Sequence, residues 1–202
     1  MQEMKFSSKE KAIFAGIMAL IREGINPYTI KVSDIAKKAD VGKGTIYDYF
    51  KSKEEAISKA LLHHLGRGLE ETLKAVEGKD GFRDKYYVIL WILARQADEN
   101  KEQCKMFSPL GELSDFYEHL ADYQEYLQAN DRWVKRIFED VFEAGIREGL
   151  IRSLEDEEES YREMAIIGAL AAFAHSLYHP VTSLPAETAM AASYRILVKA
   201  LS

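Results

Sequence analysis

The chain has 202 residues, of which 47% are hydrophobic, with only 4 prolines and 12 glycines. This composition supports a sizeable core and is atypical of a long disordered linker or a turn-rich β fold. The single cysteine, Cys104, excludes an internal disulfide and a multi-cysteine zinc site. The formal net charge is −6, but residues 1–60 hold 11 Lys and Arg against 8 Asp and Glu, whereas residues 61–202 hold 16 against 25. The acidic C-terminal part should repel a polyanion, which leaves the N-terminal part as the surface where one could dock.

The predicted elements are helices nearly throughout, which places the chain in the all-α class. In chain order they cover residues 8–24, 33–39, 43–50, 53–76, 82–99, 103–118, 119–148, 157–178 and 185–201. Ser7 or Ser8 is expected to cap the first helix, whose inward residues are predicted to be Ile13, Ile17, Leu20 and Ile21. Ser33 is expected to cap the second helix and Gly42 the third. Pro109 interrupts the sixth segment.

Residues 31–53 are the most informative stretch, because they predict two short helices joined by a tight turn. Asp40 stands at the turn, where Asp tolerates the left-handed conformation better than most residues. Apolar side chains are expected to face inward at Val32, Ile35, Ala36, Ala39, Val41, Ile46 and Phe50. The outward face of the second helix combines a lysine, a hydroxyl and aromatic rings, which is typical of a surface that meets nucleic acid. This pattern indicates helix-turn-helix geometry.

The same stretch resembles the DNA-binding motif of the TetR-type (TetR/AcrR) transcriptional regulators. The matching residues are Ile35-Ala36, Ala39-Asp40-Val41-Gly42, Gly44-Thr45-Ile46-Tyr47-Asp48-Tyr49-Phe50 and Ser52-Lys53-Glu54. The chain departs from the family pattern at Asp40, where glycine is usual, and at Gly42, where serine is usual. The resemblance implies a three-helix DNA-binding domain over residues 1–52 and a larger helical ligand-binding and dimerisation domain over residues 53–202.

The motif and the resemblance together predict a set of DNA-contacting residues: Ser33, Gly42, Lys43, Gly44, Thr45, Tyr47, Asp48, Tyr49, Lys51 and Lys53. Ser33, Tyr47 and Lys53 are the strongest candidates for phosphate contacts, and Gly44 would let a phosphate approach the backbone closely. Asp48 is expected either to accept a hydrogen bond from cytosine N4 or to pair with Lys51 or another nearby lysine. A helical hairpin without a nucleic-acid role is the alternative for the whole motif.

Residues 165–178 contain no Asp, Glu, Lys or Arg, so both faces of this helix are expected to be buried. Small residues permit close approach of another helix, and one face can meet a second copy of the chain. With the last helix this predicts a homodimer through a four-helix bundle across a two-fold axis. A helix at the centre of a monomer is the alternative.

The family resemblance implies a pocket for a small-molecule effector among the aromatic-rich C-terminal helices. The predicted lining residues are Trp91, Phe107, Trp133, Phe173 and His175. An ordinary aromatic core is the alternative for each of them. His175 and His179 have the i, i+4 spacing of a metal site, but Pro180 follows at once and no His-Glu-x-x-His motif occurs. No metal and no cofactor is predicted.

The sequence predicts a ligand-responsive DNA-binding regulator, a repressor, and not an enzyme. Two recognition helices would enter successive major grooves about 34–36 Å apart on a near-palindromic double-stranded operator. An all-helical enzyme and a protein-interaction module, each with a non-functional helix-turn-helix, are the alternatives. The chain has neither an apolar N-terminal signal nor an 18-residue apolar run, so no membrane span and a cytoplasmic location are expected.

Overall fold

The computed structural model describes residues 6–99, 124–153, 159–178 and 184–202. Within these residues the chain is all-α, which confirms the predicted fold class. The helices are α1 Ser8–Arg22, α2 Val32–Lys38, α3 Lys43–Tyr49, α4 Lys53–Glu77, α5 Phe82–Glu99, α6 Gln124–Arg147, α7 Glu159–Tyr178 and α8 Ala186–Leu201, with a short 3₁₀ turn at Pro27–Thr29. The predicted segment 103–118 lies outside the described residues.

The described residues form two compact units. The first unit ends within α4, at Gly68, and also includes residues 124–130; the other described residues form the second unit. Each unit has its own apolar core. None of the helices in these stretches has the length and apolar character needed to cross a membrane.

The first unit is built on α1, whose inward face is the one that the sequence predicts. Ser7 caps α1 reciprocally with Glu10, since the Ser7 hydroxyl accepts from the Glu10 backbone N–H at 3.2 Å and the Glu10 carboxylate accepts from the Ser7 N–H at 2.9 Å. The four predicted inward residues are all buried: Ile13, Ile17, Leu20 and Ile21. Their core continues into residues of α2, α3 and the start of α4, namely Ile35, Ala36, Ile46, Phe50, Ala56 and Ile57.

The turn between α2 and α3 has the predicted conformation. Asp40 has a φ of 53°, in the left-handed region, and the Val41 N–H then donates to the Ala36 carbonyl at 3.0 Å. The predicted cap of α2 is wrong. Lys31 is extended and its carbonyl accepts from the Asp34 N–H at 2.9 Å, so α2 begins at Val32 and Ser33 lies within its first turn.

In the second unit, α5, α7 and α8 pack against one another around a buried polar network. The Tyr86 and Ser193 hydroxyls are 2.8 Å apart, and the Ser193 hydroxyl donates to the Ala169 carbonyl at 2.9 Å. The Tyr86 hydroxyl therefore donates to Ser193, and one residue from each helix is joined. Burial raises the pKa of Tyr86 to about 12, so its hydroxyl stays a neutral donor.

An ion pair between buried Lys85 and half-buried Asp140 ties α5 to α6 in the same unit. The Lys85 ammonium donates to the Asp140 carboxylate at 2.6 Å and to the Val76 carbonyl, near the end of α4, at 2.9 Å. At the start of α5, the Glu148 carboxylate accepts from the Phe82 N–H at 2.8 Å and takes the place of a local cap. The turn between α4 and α5 is thus held by side chains from α6 and the residue that follows it.

Candidate nucleic-acid interface

The third helix is held in the first unit by one face. Gly42 is its N-cap, as the sequence predicts, with φ −68° and ψ 149°, and its carbonyl accepts from the Thr45 N–H at 3.0 Å. Ile46 is fully buried and Phe50 nearly so, and the Phe50 ring lies 5.8 Å from that of Phe14 on α1. A seven-residue helix is marginal alone, so these contacts give α3 its position.

The opposite face of α3 is exposed and carries half of the predicted contact residues. Lys43, Gly44, Tyr47, Asp48 and Tyr49 are all exposed, and 56% of Tyr47 is accessible. A Cβ added at Gly44 would meet nothing within 4 Å. This face therefore offers a cation, a phenol and a carboxylate to an outside molecule, with a gap in the first turn.

Thr45, Ser33 and Lys53 are half-buried, whereas the rest of the predicted set is exposed. The Ser33 hydroxyl lies 3.4 Å from the Asp34 carboxylate, a weak contact. A Cβ at Gly42 would lie 3.6 Å from the Thr45 hydroxyl, so Thr45 folds back toward the N-cap. The Ser33 and Thr45 side chains are therefore less accessible than those on the exposed face of α3.

Lys53 has a structural role that its sequence position does not reveal. Its ammonium donates to the Tyr28 carbonyl at 3.2 Å and lies 3.5 Å from the Glu54 carboxylate. The Asn26 side chain in turn accepts from the Tyr28 N–H at 2.9 Å. Lys53 therefore joins the start of α4 to the 3₁₀ turn before α2. The predicted contact set does not include Tyr28, whose side chain is exposed. An aromatic residue in a polar loop is the sequence pattern that could have indicated this exposed ring.

The first turn of α4 is fixed by local hydrogen bonds. The Ser52 hydroxyl accepts from the Glu55 N–H at 3.0 Å, and the Glu55 carboxylate accepts from the Lys51 N–H at 2.5 Å. A hydrogen bond from its own backbone N–H lowers the pKa of Glu54 below its ordinary value, with a smaller contribution from the Lys53 charge. Carboxylates are stabilised at this end of a helix, so the lysines beside them keep a defined geometry.

Lysines outnumber acids over residues 31–53, six against three. Lys38 pairs with Glu23 on α1. Four exposed lysines make no ion pair with any described residue: Lys31, Lys37, Lys43 and Lys51. These cations are available to an anionic partner, and phosphate is the anion that a groove-reading helix brings near them.

The predicted effector residues have diverse environments in the second unit. Phe173 is buried in the core and Trp133 is half-buried. Trp91 and His175 are exposed, with the Arg95 guanidinium 5.5 Å from the Trp91 ring centre. Phe107 lies outside the described residues. An open groove of about 300 Å³ is lined by Lys135, Phe138, Glu139, Phe142, Glu143, Ile146, Arg162 and Glu163, and none of the five predicted side chains lines it.

Comparison with known proteins agrees with this geometry. Residues 13–62 match the family model described as bacterial regulatory proteins, tetR family. The HTH-type transcriptional regulator YhgD of Bacillus subtilis is 25% identical over 154 residues, which are 76% of this chain and 77% of YhgD.

Solved structures share the fold over nearly the whole chain. A TetR transcription regulator from Haloarcula marismortui aligns with a TM-score of 0.66 at 17% identity, covering 98% of this chain and 100% of its own. FadR from Bacillus subtilis, solved in complex with stearoyl-CoA, aligns with a TM-score of 0.61 at 19% identity, covering 95% and 97%. Residues 13–62, which match the family model, include α2 and α3 and therefore the whole exposed face of α3. Residues 13–62 are therefore similar to the tetR family of bacterial regulatory proteins, and the fold of the chain is the one that TetR-type regulators have.

Proposed function

We propose that this protein is a transcriptional repressor that binds a near-palindromic DNA operator as a homodimer and leaves it when a small molecule binds the C-terminal domain. One observation carries the proposal: α3 buries Ile46 while it exposes Lys43, Tyr47 and Asp48. A helix held by one face, with polar tips on the other, suits entry into a major groove. We take residues 1–52 as the DNA-binding domain and residues 53–202 as the ligand-binding and dimerisation domain.

Exposed apolar side chains of α7 and α8 support the dimer. On α7, Ile166, Ala169 and Phe173 pack into the core of the second unit. On the same helix, 72% of Met164 and 54% of Ile167 are accessible. Adjacent exposed alanines on α7 would let another helix approach closely. Residues 165–178 of α7 contain no Asp, Glu, Lys or Arg. Such a segment with one solvent-exposed face is poorly explained by a monomer, so we assign this face to a second copy. A two-fold axis there would present two copies of α3 to one duplex.

The effector is supported by the family and by a structural neighbour. FadR of Bacillus subtilis carries stearoyl-CoA, and its fold covers nearly all of this chain. We propose that the effector binds in the C-terminal domain, with Trp91, Phe107, Trp133, Phe173 and His175 as candidate contacts. Coupling of about 1–3 kcal/mol between the two sites would suffice for several-fold to hundredfold release.

The DNA proposal is tested by operator selection followed by titration at several salt concentrations. Purified protein should enrich a near-palindromic sequence from a random duplex pool. Tyr47→Ala and Lys43→Ala should each weaken binding, and Lys43→Ala should also reduce the salt slope by about 1. Lys79→Ala removes the same charge from an exposed position after α4 and is the matched control. Lys53→Ala is a poorer test, because it also removes the hydrogen bond to the Tyr28 carbonyl.

A failure of this experiment would favour the other classes of function. If no sequence is enriched and the residual affinity does not depend on salt, the helix-turn-helix is scaffolding for an interaction module or an enzyme. Equal affinity of the wild type and Tyr47→Ala would instead remove the proposed contacts while leaving DNA binding in place.

The dimer is tested by sedimentation of the wild type and of Ile167→Glu. The added carboxylate lies on the exposed face of α7, so the folded monomer should be intact by circular dichroism. We expect a dimeric wild type, a monomeric variant and loss of affinity for the full operator. A dimeric Ile167→Glu protein would place the interface elsewhere.

A further inference from the structure

Asp48 is the only acid on the exposed face of α3, and nothing in the described part of the chain explains it. Its carboxylate is exposed and makes no ion pair or hydrogen bond with any described side chain. The pairing with Lys51 that the sequence allows does not form. The side chain is therefore not committed to the fold.

The position of Asp48 is unfavourable by two general rules. It is the penultimate residue of α3, where the negative end of the helix dipole repels a carboxylate. On a face that meets DNA it would also repel phosphate. A carboxylate here gains only from a hydrogen-bond donor that the bound molecule supplies.

The local geometry gives this carboxylate a way to reach a base edge. A helical side chain leans toward the N-terminus of its helix, so Asp48 extends over the turn that contains Gly44. Gly44 has no side chain, and the space around it is open to at least 4 Å. The N-terminal part of a recognition helix is the part that contacts bases, so the carboxylate extends toward that region.

The chemistry of the major groove selects one base for a carboxylate. A carboxylate only accepts hydrogen bonds, and the groove presents donors at cytosine N4 and adenine N6. The acceptor N7 lies beside adenine N6 and repels the second carboxylate oxygen, whereas an amide side chain satisfies both atoms. We infer that Asp48 selects a cytosine in each operator half-site by accepting a hydrogen bond from its N4 amino group. This inference rests on the proposed function.

The test is operator selection with the full-length wild type, Asp48→Asn and Asp48→Ala. The wild type should enrich cytosine at one position of each half-site, Asp48→Asn should change that position to adenine, and Asp48→Ala should remove the preference. In direct titrations, replacing this cytosine by thymine should weaken the wild type about tenfold or more and Asp48→Ala about twofold or less. Other positions of the operator should not change.

The affinity for non-specific DNA should change in the opposite direction to the affinity for the selected operator. Both variants should bind non-specific duplex several-fold more tightly than the wild type, because a charge that repels phosphate is gone, while Asp48→Ala binds the selected operator less tightly. An operator that is identical for all three proteins would overturn the inference and leave the proposed function intact. A wild type that enriches no sequence would instead overturn the proposed function.

Discussion

Gly16 on α1 lies directly against Ala39 at the end of α2. A Cβ at Gly16 would lie 3.0 Å from the Ala39 backbone nitrogen and 3.1 Å from its Cβ. Since the neighbour is backbone, it can yield only by separating the two helices. Gly16→Ala should lower the free energy of unfolding by about 1–3 kcal/mol, as overpacked cores do. Urea denaturation measures this, with Gly68→Ala as control, where an added Cβ meets nothing within 4 Å.

Gly16→Ala and Gly68→Ala are the same chemical change, so a difference in their stability reflects only the surroundings of the added Cβ. Gly68→Ala should be neutral or stabilising by up to about 1 kcal/mol, since alanine is the better helix former. Equal effects of the two variants would mean that α1 and α2 are not packed as closely as described.

Asp40 sets a second test, through its left-handed backbone at φ 53°. Glycine has no steric penalty in the left-handed conformation. Alanine has a Cβ but no polar group that could hydrogen-bond locally, so it costs about 1–2 kcal/mol. Asp40→Gly should therefore be neutral or stabilising, and Asp40→Ala should destabilise the helix-turn-helix. Thermal unfolding of the two variants beside the wild type gives the order, and a more stable Asp40→Ala protein would contradict the turn geometry.

The Lys85–Asp140 pair should behave as a buried charge pair. Lys85→Met leaves a carboxylate without its cation and also removes the hydrogen bond to the Val76 carbonyl. We expect a loss of about 3 kcal/mol or more. The double variant Lys85→Met with Asp140→Leu should lose less than the two single changes added together. Strict additivity in urea denaturation would show that the pair is not coupled.

His63 predicts a pH dependence for the first unit. Its ring lies 5.2 Å from the Phe6 ring and 5.3 Å from the Phe14 ring. Burial lowers the pKa of His63 below 6.5, with smaller contributions from Arg67, Lys11 and His64. As pH falls through 6.5, the unfolded state takes up the proton first, so the free energy of unfolding decreases until the lower folded pKa is passed.

The phenylalanine variant isolates this effect. His63→Phe keeps an aromatic ring between Phe6 and Phe14 but does not titrate. Between pH 7 and pH 5 its stability should therefore decrease less than that of the wild type. Parallel stability curves for the two proteins would show that His63 is not the responsible group.

The sequence predicts the parts of this fold that depend on local periodicity and turn chemistry. The inward face of α1, the capping role of Gly42 and the left-handed Asp40 all follow from short-range patterns. The exposed face of α3 follows too, because Ile46 and Phe50 define its buried side.

The features that sequence reasoning missed depend on residues far apart in the chain. Nothing near Lys53 signals that its ammonium meets the Tyr28 carbonyl, 25 residues earlier. Lysine is a residue type found mostly at the surface, yet Lys85 is buried and its ammonium pairs with the Asp140 carboxylate, 55 residues later. Ser33 is a reasonable cap by residue type, but the N-cap is Lys31, whose backbone is extended and which lies two residues earlier.

Under the proposed function, the open space at Gly44 makes operator choice separable from stability. A Cβ placed there would meet nothing within 4 Å, and replacing a helical glycine by alanine can strengthen the fold by up to about 1 kcal/mol. Copies of this protein could therefore diverge toward new promoters by substitution at a single codon, one turn before Asp48. Libraries randomised at Gly44 and Asp48 together are the natural starting point for retargeting it.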